Sequence, residues 1–144
     1  MNLGELLKKK GTAVETISAD DKIGDALLKL NEKHIGALMV VDANGRVEGI
    51  ISERDLLMIC SDCAKDQKVS EFMTGKDKLL SLGLKDSLQK AMQIFTEKRI
   101  RHLPILEGEK LVGIISIGDA VKALLDAVEL ENKYLKEYIM GQDI

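Results

Sequence analysis

The sequence predicts an α+β fold: two β-α-β-β-α repeats packed as a pseudo-twofold pair, with an N-terminal helical segment and a long C-terminal helix. Two observations carry this. The first is internal repetition. A shift of 65 residues lays Asp21 on Asp86, Ala26 on Ala91, Glu32 on Glu97, Lys33 on Lys98, Ile35 on Ile100 and Leu38 on Leu103. A one-residue deletion in a turn changes the shift to 64. Gly49-Ile50-Ile51-Ser52 then falls on Gly113-Ile114-Ile115-Ser116, and Asp55 on Asp119. Self-similarity at a fixed period is the mark of a duplicated supersecondary unit. The second observation is that each copy passes through helical and strand-like apolar patterns in the same order.

Each repeat opens with a short apolar segment, Val14 to Ile17 and then Leu79 to Leu82. A helix follows. Ile23, Ala26, Leu27 and Leu30 lie on one face in the first copy, and Leu88, Ala91, Met92 and Phe95 in the second. Steps of three and four are one face of a 3.6-residue period. Asp20 and Asp21, or Asp86 and Ser87, are placed to cap the first N–H groups. Ala37 to Asp42 then reads as a strand that returns through Ala43-Asn44-Gly45 to Arg46–Ile51. Asn-Gly accepts the positive φ of a tight hairpin. In the second copy, His102 to Leu106 returns through Glu107-Gly108-Glu109 to 110–115. The last helix of each copy starts at Ser52 or Ser116 as N-cap.

A unit of about 55 residues is too small to bury a good core alone, so two packed units are the expected stable object. The predicted division is 1–66, with the N-terminal segment, and 67–144, with the C-terminal extension. Leu3, Leu6 and Leu7 form one helical face near the start. Past Ser116 the helix runs towards Met140 without a breaker, and Val121, Leu124, Leu125, Val128, Leu135 and Ile139 form an incomplete stripe. Such a stripe suits packing on a second subunit, or a return of the helix onto its own domain. The polar segment 61–68 reads as the linker.

Composition narrows the function. Of 144 residues, 45% are hydrophobic and 31% charged, which is the balance of a globular protein. The net charge of -3 provides no basic field for nucleic acid. No apolar run approaches the roughly 20 residues that span a bilayer. No export signal precedes the two cysteines, so a cytoplasmic setting with reduced thiols is expected. No nucleophile–base–orienter set, Walker loop or GxGxxG stands out, and no enzyme activity is predicted.

The repeated Gly-Ile-Ile-Ser-x-x-Asp is the most informative motif. It is a strand ending at a helix N-terminus, whose unpaired N–H groups suit a phosphate or another anion. Ser52 and Ser116 can bond a ligand or cap the helix. Asp55 and Asp119 can accept two hydrogen bonds from a vicinal diol such as ribose, or serve only as part of a cap. Gly49 and Gly113 permit close approach of backbone.

These residues, with Glu71-Phe72-Met73-Thr74 and Arg101-His102-Leu103-Pro104, closely resemble the CBS domain, and the tandem resembles a CBS pair, or Bateman module. The resemblance covers roughly residues 1 to 140. It implies a regulatory module that binds adenosine ligands in two clefts between the copies. AMP is the leading expectation, with ATP, ADP, NAD(H) or S-adenosylmethionine as alternatives and Mg²⁺ only beside a triphosphate. By residue-wise transfer, one cleft uses Ile114, Ser116 and Asp119, with Arg101 and His102 at the phosphates. Its adenine lies against Ile35, Gly36 and Ala37 and the backbone of Val14 to Thr16. The other uses Ile50, Ser52 and Asp55, with adenine near Thr74, Leu80 and Ile100. Arg54 offers a guanidinium fork for phosphate there. Since Gly36 and Ala37 stand where the other copy has Arg101 and His102, the Asp119 cleft is expected to be the stronger site.

A homodimer is expected, with Leu56, Leu57 and Val121 on its face, and a protein target that the sequence does not name. Two other readings stay open. One is a ligand-free dimer scaffold. The other is a thiol redox protein using Cys60 and Cys63, whose C-x-x-C spacing suits a disulfide or half a zinc site.

Overall fold

The computed structural model describes residues 1–57, 59 and 64–142. Cys60 and Cys63, and hence the redox reading, lie outside the described residues. Helix α1 (Leu3–Lys10) comes first, then strand β1 (Thr16–Ile17), helix α2 (Ile23–Lys33), strands β2 (Ala37–Val41) and β3 (Val47–Ser52), and the short helix α3 (Glu53–Leu57). After a 3₁₀ turn (Val69–Glu71) come strand β4 (Thr74–Gly75), helix α4 (Leu88–Lys98), strands β5 (His102–Glu107) and β6 (Lys110–Ser116), and helix α5 (Ile117–Gln142).

The first sheet has the order β1-β2-β3-β4, with β1 parallel to β2 and the other pairs antiparallel; the second is the hairpin β5-β6. Both hairpins turn where glycine supplies positive φ, at Gly45 and Gly108. The Asp42 carboxylate adds hydrogen bonds from the N–H groups of Asn44 and Arg46. The duplication extends to backbone detail. His34 and Arg99, 65 positions apart, both adopt the left-handed conformation and end α2 and α4.

Two cores result, one per copy, and each recruits chain from outside its own repeat. Ile23, Ala26, Leu30, Leu38, Val40 and Ile51 form the first, with Val69 from beyond the linker. Leu88, Ala91, Phe95, Leu103, Ile105 and Ile115 form the second, together with Leu3, Leu6 and Leu7 of α1. Thus α1, grouped with residues 1–66 by sequence order, packs in the core of the second repeat, while β4 from past residue 66 extends the first repeat's sheet.

The same exchange governs helix capping. Asp20 and Asp21 do not cap α2. Its N-cap is Lys22, and the first N–H groups, of Ile23 and Gly24, donate to the carbonyls of Gln67 and Lys65. Asp21 instead accepts from the N–H of Ser18. In the second copy Ser87 caps α4 by accepting from Lys90 N–H, and Leu88 N–H donates to the Met1 carbonyl.

Two other expectations need correction. The segment 79–82 forms no strand, only a parallel bridge from Leu82 to Ile105. Leu82 N–H donates to Pro104 O, and Leu106 N–H to Leu82 O. The next rung towards Leu80 needs a donor at Pro104, which has none. Leu56, assigned to a dimer face, is buried in the first core, because α3 lies against β3 and α2 and this side chain is on the covered side. Its neighbour Leu57 is 82% exposed, and Val121 41%. No described helix is long and apolar enough to cross a membrane.

Candidate functional site

The two copies leave a cleft of about 810 Å³ between them, a size suited to a small molecule. From the first copy Gly36, Ile50, Ser52, Arg54 and Asp55 line it, with Thr74 from β4. From the second copy come Ile100, Arg101 and His102. Sequence reasoning selected all nine. It missed Glu53, Leu57, Phe95, Lys98, Arg99 and Ile117, which also line the cleft. A signal was available for two of these: Lys98-Arg99-Ile100-Arg101 stands where the first copy has Lys33-His34-Ile35-Gly36.

The motif positions its side chains by strand-to-helix geometry. The end of β3 delivers Ser52 to the start of α3, and Asp55 follows one turn in. The Asp55 carboxylate accepts from Ser52 N–H at 2.9 Å and from the Ser52 hydroxyl at 3.1 Å, both through Oδ2. This pair is therefore preorganised at the cleft wall rather than dangling. Arg54 points across the interface, and its Nη1 donates to the Arg99 carbonyl at 2.8 Å. Four cations, Arg54, Lys98, Arg99 and Arg101, face two carboxylates, Glu53 and Asp55. The cleft is thus basic in a chain whose net charge is -3. Guanidinium groups in such a wall suit phosphate.

His102 forms the floor where the copies touch. Burial holds its pKa below the usual histidine value, with the nearby Glu53 carboxylate opposing. A Cβ on Gly36 would stand 2.9 Å from both Cε1 and Nε2 of this imidazole. Glycine at 36 is therefore what lets the ring lie against the first copy's backbone. Gly49 permits the close approach of backbone expected of it, and Gly113 admits a side chain instead. A Cβ on Gly49 would collide with the Thr74 carbonyl of β4, and one on Gly113 with the Leu7 side chain of α1. Both glycines seat the exchanged segments, not a ligand.

Of the second copy of the motif, Ile117 lines this cleft but Ser116 and Asp119 do not. Ser116 and Asp119 repeat the local geometry, with Ser116 N–H donating to Asp119 Oδ2 at 2.8 Å. Here, however, Lys10 from the end of α1 reaches in. Its Nζ lies 2.6 Å from Asp119 Oδ2 and donates to the Ile114 carbonyl at 2.5 Å. Burial alone would raise the Asp119 pKa, but Lys10 and the Ser116 N–H outweigh it and hold the carboxyl below its ordinary range. Arg101 and His102 line the Ser52–Asp55 cleft and also lie beside the second motif: His102 pairs with Ser116 in the β5–β6 ladder, the Arg101 carbonyl accepts from Ile117 N–H, and Asp119 joins Glu53 in opposing the fall of the His102 pKa. Of the remaining selected residues, Val14 is half-buried, Ile35 packs on the first core, and Ala37 is buried in the β2–β3 ladder. The Thr16 carbonyl accepts from Lys29, and Leu80 is exposed. None of these lines the cleft. No group of three or more His, Cys, Asp or Glu among the described residues could hold a metal ion.

The family model of the CBS domain matches the chain twice, at residues 6–62 and 69–126. The chain belongs to the CBS-domain family. A CBS-domain-containing protein of Arabidopsis thaliana, CBSX3, mitochondrial, is 32% identical over 148 residues, covering 96% of this chain and 72% of that protein. The CBS-domain protein ATU1752 of Agrobacterium tumefaciens has a crystal structure that superposes with a TM-score of 0.79 at 39% identity, over 85% of this chain and 98% of that one. The crystal structure of CBSX2, solved in complex with AMP, superposes with a TM-score of 0.75 at 25% identity, over 88% and 97%. This CBS pair therefore shares its architecture with structures that are almost fully covered by it.

Proposed function

We propose that this CBS pair is a non-catalytic regulatory module that binds an adenine nucleotide, AMP foremost, in the cleft between its copies. The observation that carries the reading is the joining of a Ser52–Asp55 pair to a basic wall in one cleft of ligand size. In this reading Asp55 takes the ribose diol, Ser52 stands beside it, and Arg54 and Arg101 take phosphate. Ile50, Thr74 and Ile100 flank the base. The AMP complex of the CBSX2 neighbour supports the ligand class. Because the cleft is built from both copies, a ligand there binds the closed arrangement better than an open one. It shifts that equilibrium only by this difference in affinity.

A second role fits the other motif. Lys10 on Asp119 favours a structural use of Ser116 and Asp119, so the Ser52–Asp55 cleft is the primary site, the reverse of the ranking expected from sequence. A thermal-shift panel of AMP, ADP, ATP, NAD⁺, NADH and S-adenosylmethionine tests this. At 100 times its dissociation constant a ligand adds about 2.7 kcal/mol. AMP should raise the midpoint, and Asp55→Asn should abolish the rise. No shift with any compound would leave the ligand-free scaffold as the reading.

A further inference from the structure

Helix α5 leaves the second core early. Ala120 is buried, and Ala123 and Leu124 pack against that core, but every described residue from Leu125 to Gly141 is exposed. About 17 residues at 1.5 Å each make a rod of roughly 25 Å with no cover. Isolated helices of this length are marginal in water. Yet the rod carries Leu125, Val128, Leu135 and Ile139 at 53–59% exposure.

Their order is specific. Val121, Leu125, Val128, Asn132, Leu135 and Ile139 are separated by 4, 3, 4, 3 and 4 residues. This is an a/d heptad seam with Leu125, Asn132 and Ile139 at a and Val121, Val128 and Leu135 at d. The single polar residue in the seam is an asparagine at a, the device that fixes register and favours two strands in parallel coiled coils, where the two asparagines meet. An antiparallel pair would set each Asn132 against an apolar d residue. The flanking charges agree. Glu131 falls at g and Lys136 at the following e, so a parallel in-register pair places each Glu131 beside the other copy's Lys136. Neither makes an ion pair within the chain among the described residues. Leu130 and Tyr134, one helical turn apart, and Met140 are exposed off the seam.

We propose that α5 is a dimerisation device in which two copies of this chain join through a parallel, in-register, two-stranded coiled coil over about residues 121–142. The seam contributes to the dimer's strength. It rests on α5 alone and is independent of the nucleotide reading.

Sedimentation equilibrium on the full chain, with Leu135→Asp/Ile139→Asp as the variant, tests the seam. Wild type should be dimeric, and the variant should dimerise at least about a hundredfold more weakly, as removal of two seam contacts implies at a factor of ten per 1.4 kcal/mol. Both positions are exposed, so the variant should keep the wild-type melting of the modules, which verifies folding. Orientation is tested by oxidation of Val128→Cys and Leu135→Cys, each in a Cys60→Ser/Cys63→Ser background. In-register parallel helices cross-link both positions to their own copies, whereas an antiparallel pair can bring at most one to its own copy. A monomer throughout, an unchanged dimer in the aspartate variant, a higher oligomer, or cross-linking at only one position would each overturn the proposal.

Discussion

Replacing Lys10 by Met separates the charge of this side chain from its length. Lys10 Nζ holds two acceptors, Asp119 Oδ2 at 2.6 Å and the Ile114 carbonyl at 2.5 Å. A hydrogen bond to a charged group contributes about 1.5–3 kcal/mol when shielded, and an exposed ion pair only about 0–1. The two side chains are 31% and 28% exposed, so solvent screening places the loss between these, at about 1–2 kcal/mol. For a chain of this size that lowers the melting midpoint by roughly 3–8 °C. The pH dependence follows from Asp119. Its folded pKa is depressed below the unfolded value, so its contribution is complete above the unfolded pKa of about 3.9 and is lost as pH falls through the folded value. Urea denaturation of wild type and Lys10→Met at pH 7 should show the full gap, and the gap should close in acid below about pH 4. Equal midpoints at pH 7, or a gap that stays constant into strong acid, would refute the assignment of Lys10 to Asp119.

Three further perturbations address other parts of the account. Leu7→Ala should cost about 2–4 kcal/mol in urea denaturation, because Leu7 is 2% exposed in the second core and fills the space over Gly113; a loss near zero would contradict the exchange of α1. Gly36→Ala should displace the His102 ring at a cost of about 1–2 kcal/mol, visible as a shift of the imidazole resonances; unchanged resonances would refute the contact. His102 is depressed by burial, so its contribution is present above the unfolded pKa of about 6.5 and declines as pH falls. His102→Gln should therefore flatten the fall in stability as pH drops below about 6.5, and an unaltered slope would place the titration elsewhere.

The local elements were legible because each copy repeats its own pattern. Ile23, Ala26 and Leu30 marked α2, Asn44-Gly45 marked the hairpin turn, and Gly-Ile-Ile-Ser marked the strand ends at Ser52 and Ser116. What stayed hidden was the exchange between copies. Nothing in the spacing of Leu3, Leu6 and Leu7 says that they pack 80 or more residues away against Leu88 and Phe95, and apolar periodicity does not name a partner. For the same reason Lys10 was invisible as the neighbour of Asp119, and the motif with the richer basic flank was ranked first. Carbonyls of the linker cap α2 in place of Asp21, and capping propensity cannot foresee a backbone acceptor supplied from another segment. The lost strand at 79–82 was readable in retrospect, since Pro104 denies it a donor.

The central claim is that adenine nucleotide occupies the Ser52–Asp55 cleft. The most direct measurement is isothermal titration of AMP into wild type, Asp55→Asn and Asp119→Asn. The account predicts saturable binding to wild type, retained by Asp119→Asn and lost by Asp55→Asn. Binding that survives Asp55→Asn and disappears with Asp119→Asn, or no heat of binding to wild type, would contradict it.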